Sequence, residues 1–312
     1  MESTIGKTVD EIRDSLREYI QATYHISAPE LIRQRRELLD KVGVIFQEPF
    51  IESTPRYCVG PRLVDLGLPE AVIEMMSRVS TSEGDLRTLI HDPLYEHQTK
   101  ALQEILLSGK SLMVTTGTGS GKTECFLLPI LGKLSREAKS QPEIFGRSPA
   151  VRALVLYPMN ALVNDQLGRM RSLYGDERVS KQFSKWSGRP VRFARYTSRT
   201  LYPGVRSSEK DRKKLRPIEV FFLANLPDEP GEMDASSQLY RELKERGKWP
   251  AKPDLRAWGG AKGARWEKRC LTLPNDAELI TRHEVQQSAP DILITNYSML
   301  EYMLMRPLER HI

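Results

Sequence analysis

The residues with the most chemistry in this chain are Lys122 and Thr123, which close the run Thr116-Gly117-Thr118-Gly119-Ser120-Gly121 between two apolar stretches. A lysine ammonium is a compact charge suited to the β and γ phosphates, and a threonine hydroxyl beside it is a Mg²⁺ ligand. Gly117, Gly119 and Gly121 tolerate backbone conformations and close approaches that a Cβ would block. The N–H groups from Gly117 to Thr123 can therefore turn inward around phosphate oxygens. The pattern misses GxxxxGK[ST] by one residue, because Thr116 stands where the first glycine would be. Such a loop needs a strand before it and a helix after it. Ser111 to Thr116 reads as the strand, and the apolar run through Leu131 as the helix, whose N-terminus favours anions. ATP and Mg²⁺ are the expected cofactors, with Thr123 on the metal.

Upstream, Tyr95-Glu96-His97-Gln98 opens a predicted helix with Ala101, Leu102, Ile105 and Leu106 on one face. The Gln98 amide both donates and accepts, so it matches the N6 and N7 edge of adenine, and Tyr95 is placed to stack on the ring. His97 reads as a packed or surface histidine. Downstream, Val151 to Tyr157 reads as a buried strand, followed by Pro158-Met159-Asn160 and a helix from Ala161 to Leu173. Val191 to Tyr196 and Asp291 to Thr295 are further strands, and Thr295-Asn296 caps a helix over Tyr297 to Met305. Repeated strand, loop and helix predict an α/β fold with a parallel sheet and crossover helices. The phosphate loop, Pro158 to Asn160 and Thr295 to Asn296 then lie at carboxyl ends of strands, where such sheets carry their sites. Residues 201–287 are too long for a simple connection and read as an irregular insertion.

Residues 1–90 carry no catalytic constellation and read as a small helical accessory domain, with 91–312 as the nucleotide-binding domain. A capping box at Thr8 to Glu11 opens one helix, Ser27 to Glu30 a second that stops at Gly43, and Pro69 to Arg78 and Gly84 to Ile90 are shorter ones. The chain has 312 residues, 39% hydrophobic and 28% charged, with a net charge of +6. It has no bilayer-length apolar run and no signal-peptide pattern, which predicts a cytoplasmic protein without a membrane partner. Cys58, Cys125 and Cys270 are widely spaced, which excludes a disulfide framework and a cysteine zinc site. Lys181 to Arg216 holds twelve basic residues against Glu209 and Asp211. Interleaved with Phe183, Trp186, Phe193, Tyr196 and Tyr202, it reads either as a nucleic-acid surface or as a solvated charged face.

In order, LYEHQ, TTGTGSGKT, YPMNALVNDQ and DILITNYSML resemble the motifs of superfamily two DEAD/DEAH-box helicases, most closely the large bacterial YprA-like branch. The resemblance implies a RecA-like phosphate-loop domain from about Pro93 onward. It implies adenine contacts from Gln98 and Tyr95, and phosphate and Mg²⁺ contacts from Thr116 to Thr123. It also implies that Pro158, Asn160, Arg195, Thr295 and Asn296 face a gripped strand, with single-stranded or partly duplex DNA favoured over RNA. In that family a DEAH-type acid and a second RecA-like domain follow; neither is matched here, so the chain reads as a fragment or truncated product that a second polypeptide would complete. Val220 to Leu223 leading to Asp228-Glu229 superficially resembles the acid-bearing strand, but in the wrong order. A binding module that holds ATP and nucleic acid without turnover is the alternative. A nucleotide kinase would lack the YPMN and TNYS elements.

Overall fold

The computed structural model describes residues 4–48, 50, 56–82, 87–201, 207–226, 235–260, 269–307 and 309–312. It divides into two compact units, Met1–Arg56 and Tyr57–Ile312. In the first, helix α1 spans Ile5–Thr23 and α2 spans Pro29–Leu39. The N-cap of α1 is Thr4, whose hydroxyl accepts from the Lys7 N–H, so the helix starts one turn before the predicted box at Thr8. Pro29 opens α2, where its missing N–H costs nothing. Past its end Gly43 takes a φ of 87°, the left-handed conformation that suits a stop.

In the second unit, α3 (Glu70–Ser80), α4 (Glu96–Leu106), α5 (Glu124–Ser140) and α6 (Pro142–Arg147) precede β1 (Ala153–Tyr157). Then come α7 (Asn160–Tyr174), α8 (Glu177–Ser187) and β2 (Phe193–Tyr196). The long connection carries α9 (Ser208–Lys214), α10 (Arg216–Ile218), α11 (Ala235–Glu245) and α12 (Leu255–Gly259). It returns through β3 (Glu278–Leu279), α13 (Arg282–Gln287), β4 (Ile292–Asn296) and α14 (Tyr297–Met305).

The sheet is parallel throughout, in the order β1-β4-β2-β3, with Val155 opposite Ile294 and Ala194 opposite Leu293. At β4 both faces are covered, which is why it is apolar without alternation, whereas β1 is not the fully buried strand expected, with Leu154 and Leu156 44% and 46% exposed. Ile292 and Ile294 join Val155, Phe193, Leu127, Leu131 and Met170 in one core, while Leu293 joins Tyr196, Leu279, Met299 and Met303 in another. This is the α/β arrangement of a RecA-like domain, and a helical region precedes it.

Four local expectations change. Ser111 to Thr116 forms no strand: Met113 is 90% exposed, and β1 has its pairing with β4 alone. An apolar run becomes a strand only when a neighbour satisfies its backbone groups, and none of the described strands lies beside it. The expected helix over Gly84 to Ile90 falls partly outside the described residues, and 87–90 are not helical; Leu89 and Ile90 N–H groups bond the Val79 carbonyl instead. Leu63, Leu66, Val72, Met75, Val79 and Ile90 share one core with α4 and α5 and belong to the second unit. Glu219–Leu223 is a π-helical turn, not a strand, and Asp228-Glu229 lies outside the described residues.

The long connection between β2 and β3 has its own core of Leu215, Ile218, Trp249, Leu255, Trp258 and Cys270. Beneath it Lys252 is fully buried, 2.6 Å from Asp276 and 3.0 Å from Glu284. The charge is retained inside because both carboxylates face it, while Trp258, Thr272 and Thr281 donate to Glu284.

Candidate nucleotide and nucleic-acid site

Helices α4 and α5 pack together and hold the glycine-rich loop between them. Gly119 and Gly121 take φ of 77° and 76°, a region that a side chain makes costly. The Gln98 side chain is buried and used at both ends. Its Oε1 accepts from the Tyr95 N–H at 3.0 Å, and its Nε2 donates to the Gly121 carbonyl at 3.0 Å. The expected adenine-reading amide therefore faces the loop's own backbone and couples α4 to it. His97, expected to be a bystander, also reaches the loop: its Nε2 donates to the Ser120 carbonyl at 2.9 Å.

Inside the loop, the Thr116 and Ser120 hydroxyls share a 2.6 Å hydrogen bond, and Ser120 is fully buried. Thr118 and Gly119 form the turn at its tip. Lys122 is exposed and folds back, its Nζ donating to the carbonyls of Thr116 at 2.6 Å and Gly117 at 3.1 Å. Thr123 is the N-cap of α5, and its side chain makes no capping hydrogen bond. A cavity of about 570 Å³ opens beside Lys122 and Thr123, bordered by Val114, Phe126 and Tyr157. The neighbouring Cys125 is buried, and burial pushes its thiol pKa up. Among the described residues no group of three His, Cys, Asp or Glu could hold a metal ion; an ion here would sit on Thr123 and phosphate oxygens.

At the carboxyl ends of β1 and β4 the helices α7 and α14 begin side by side. Asn296 caps α14, its Oδ1 accepting from the Met299 N–H at 2.7 Å, and its Nδ2 donates to Asn160 Oδ1 at 2.7 Å. Pro158 is exposed just before α7. Arg195 leans over from β2 and donates to Asn164 Oδ1 at 2.5 Å. Burial and the nearby Arg171 lower the Arg195 pKa. Thr295 is fully buried, and its hydroxyl donates to the Tyr196 carbonyl at the end of β4. Sequence reasoning missed Met159 and Tyr297, 58% and 71% exposed, which flank the two helix starts. Their signal was only their position, one residue before α7 and one after the Asn296 cap.

The basic run is not one surface. Arg189 is buried and forks onto Asp291 at 2.6 and 2.9 Å while packing on the Phe145 ring. The Arg192 N–H bonds the same carboxylate. Phe183, Phe193 and Tyr196 are fully buried core residues, and Tyr202 and Arg206 lie outside the described residues. Lys181, Lys185, Lys210, Arg212, Lys213, Lys214 and Arg216 remain exposed. A charge count cannot tell a core guanidinium that anchors a strand from a surface one.

A family model of the DEAD/DEAH box helicase matches residues 95–199, from the start of α4 to just beyond β2. Over 329 aligned residues the chain is 43% identical to Druantia protein DruE of Escherichia coli (strain UMEA 4076-1), covering 99% of this chain and 17% of that protein. It is 30% identical over 106 residues to the uncharacterized ATP-dependent helicase YprA of Bacillus subtilis (strain 168), covering 34% of this chain and 12% of that protein. It is 40% identical over 76 residues to the ATP-dependent RNA helicase DBP7 of Meyerozyma guilliermondii, covering 24% of this chain and 10% of that protein. The chain thus spans less than a fifth of the length of these relatives. No solved structure matches it significantly. Residues 95–199, which hold the loop closing on Lys122-Thr123 and the helix start at Asn160, therefore match the DEAD/DEAH box helicase family.

Proposed function

We propose that these residues bind MgATP on the loop Thr116 to Thr123 and a nucleic-acid strand across the starts of α7 and α14. The observation that carries the reading is the loop. Two glycines hold positive φ immediately before a helix, with the Lys122 ammonium already on the loop's carbonyls and the Thr123 hydroxyl free of capping. A triphosphate fits this donor set: it would exchange the Lys122 carbonyl partners for phosphate oxygens and take the backbone N–H groups from Gly117 to Thr123. A Mg²⁺ ion would neutralise phosphate charge beside Thr123.

Gln98 would act less as a reader of the base than as a link, because its amide ties the Gly121 carbonyl to α4. Tyr95 would meet the base. Pro158, Asn160, Asn296 and Arg195 would hold the phosphates of the strand, with Thr295 setting the geometry from behind. Single-stranded DNA is the first partner to test and RNA the second. Hydrolysis coupled to translocation or unwinding is our proposal for the longer protein. There the acid that activates water, and the second motor domain, come from other parts of the polypeptide or from a second one. No described helix is long and apolar enough to cross a membrane, and we place the protein's work in the cytoplasm.

The nucleic-acid half is tested by fluorescence anisotropy of labelled single-stranded DNA at two salt concentrations, with and without MgATP. We expect affinity that falls steeply between about 50 and 200 mM salt, as phosphate contacts require, and that changes when MgATP is present. Binding indifferent to both would remove this half of the proposal.

A further inference from the structure

The connection between β2 and β3 lies beyond the residues that match the helicase family, and it is built with an inside and an outside. Along α9 and α10, Asp211, Leu215 and Ile218 recur at helical spacing and are fully buried, Leu215 and Ile218 in the insertion's own core. On the other side Lys210, Arg212, Lys213, Lys214 and Arg216 are exposed. Lys213 pairs with Glu209 at 3.6 Å, and the other four pair with no carboxylate among the described residues. The helix dipole stabilises cations in a last turn without any ligand. That accounts for Arg212, Lys213 and Lys214 in α9, but not for Lys210 before that turn or Arg216 after it.

An exposed aromatic ring follows these cations in the same helical segment. The π-helical turn Glu219–Leu223 continues α10 directly, closed by the Ala224 N–H on the Glu219 carbonyl at 3.1 Å. Such turns are rare and gather at functional sites. This one is pinned at both ends: Arg269 donates to Glu219 at 3.0 Å, and Leu223 packs where a Cβ on Gly259 would stand. Between them Phe222 meets Trp249 edge-on, and Phe221 meets Phe222 edge-on, at 5.5 and 4.9 Å between centroids. Phe221 is nevertheless 51% exposed. One exposed phenylalanine means little by itself. A ring held by its neighbours, on the outside of the same small core as four unpaired cations, has both parts of a stacking platform for nucleic acid.

We infer that the insertion carries a second contact for single-stranded nucleic acid, with Lys210, Lys214 and Arg216 on backbone phosphates and the Phe221 ring stacked on an unpaired base. The charge selects a polyanion, and the ring selects a single strand, because duplex bases bury their faces in their own stack. The location agrees: the chain enters the insertion from the carboxyl end of β2, which pairs with β4, and Asn296 ends β4. The inference rests on the reading that this protein binds a nucleic-acid strand, and it extends that strand's path beyond the start of α14.

The test is fluorescence anisotropy of labelled oligodeoxythymidine, oligouridine and duplex DNA with the 312-residue chain and its variants, each shown to be folded by thermal unfolding. Phe221→Leu, which keeps an apolar side chain but no ring, should weaken single-strand binding about tenfold, and Phe221→Tyr should stay within about twofold of wild type. Duplex affinity should be the same in all three. Lys214→Ala with Arg216→Ala should reduce the salt slope for a single strand by about 1.4, or about 0.7 per contact. The two oligonucleotides tell DNA from RNA, and this pattern with either one supports the inference. Unchanged single-strand affinity in Phe221→Leu overturns it, as does an equal loss on duplex DNA, a loss in Phe221→Tyr as large as in Phe221→Leu, or an unchanged salt slope. Asn296→Ala separates the two sites. A loss there with none in Phe221→Leu overturns the inference and leaves the site at α14 standing, and the reverse pattern removes the α14 site and keeps the insertion contact.

Discussion

Gly121→Ala is the sharpest single-atom probe of the loop, and Gly119→Ala is its internal control. Both positions have φ near 76°, so either methyl group costs about 1–2 kcal/mol for the left-handed conformation. At Gly119 the new Cβ meets nothing within 4 Å. At Gly121 it runs into Gln98 Nε2 and lies 3.1 Å from Glu124 Oε2. The Gln98 amide must then move and lose its hydrogen bond to the Gly121 carbonyl, a further cost of about 1 kcal/mol. Gly121→Ala therefore costs about 2–3 kcal/mol in the phosphate-ready loop and Gly119→Ala about 1–2. The free loop can relax to avoid these costs, and binding reimposes them. MgATP affinity should fall by roughly 30–150-fold in Gly121→Ala and by roughly 5–30-fold in Gly119→Ala. Calorimetric titration reads the affinities, and thermal unfolding confirms that both variants are folded. If Gly121→Ala binds MgATP as tightly as Gly119→Ala, the Gln98 link is not part of the binding-competent loop.

Other substitutions test the surroundings. Glu284 accepts from Lys252, Trp258, Thr272 and Thr281, so Glu284→Gln leaves the buried ammonium to Asp276 alone and, through the weakened charge-assisted hydrogen bonds, should cost about 1.5–3 kcal/mol of stability. Burial opposes the Glu284 charge, but Lys252 and the hydrogen bonds outweigh it and hold its pKa below the ordinary value. A lowered folded-state pKa means stability that is present above the unfolded value near 4.3 and lost as pH falls below it. Burial raises the Asp276 pKa and gives that residue the opposite slope, so the difference between wild type and Glu284→Gln is the readout, and it should shrink below about pH 4. Arg189→Ala removes two of the bonds to the buried Asp291 carboxylate and leaves Arg152 and the Arg192 N–H on it; with the loss of the Phe145 contact it should lower stability by about 3 kcal/mol. Lys213→Ala with Lys214→Ala should leave the melting temperature alone and, if these residues meet phosphates, reduce the salt slope of DNA binding by about 0.7 per contact. Asn296→Ala loses the cap of α14, about 1 kcal/mol, together with the link to Asn160, and should weaken DNA more than it weakens MgATP.

What the sequence made legible was local. The phosphate loop, β4 and the Asn296 cap each declare themselves through neighbours a few residues away. Ser111 to Thr116 misled because strand formation depends on a partner that no local pattern reports. The two-residue β3 was invisible for the related reason that Glu278 and Leu279 are strand only beside Phe193 and Ala194. Gln98 reaches the Gly121 carbonyl from a separate helix, and Arg189 reaches Asp291 across the molecule; sequence spacing carries neither contact. The basic run failed as a surface because charge counting assumes exposure, whereas Arg189 is an interior anchor with a carboxylate and an aromatic face around it.

The central claim is that the loop ending in Lys122-Thr123 binds MgATP, and the most direct test is a calorimetric titration of MgATP into the wild-type chain and Lys122→Ala. The Lys122 side chain is exposed and contacts only loop carbonyls, so its removal should leave the melting temperature unchanged. Saturable binding by the wild type, reduced at least about tenfold in a folded Lys122→Ala variant, is the predicted result. Equal affinity in the two proteins, or no binding by a folded wild type, would contradict the account.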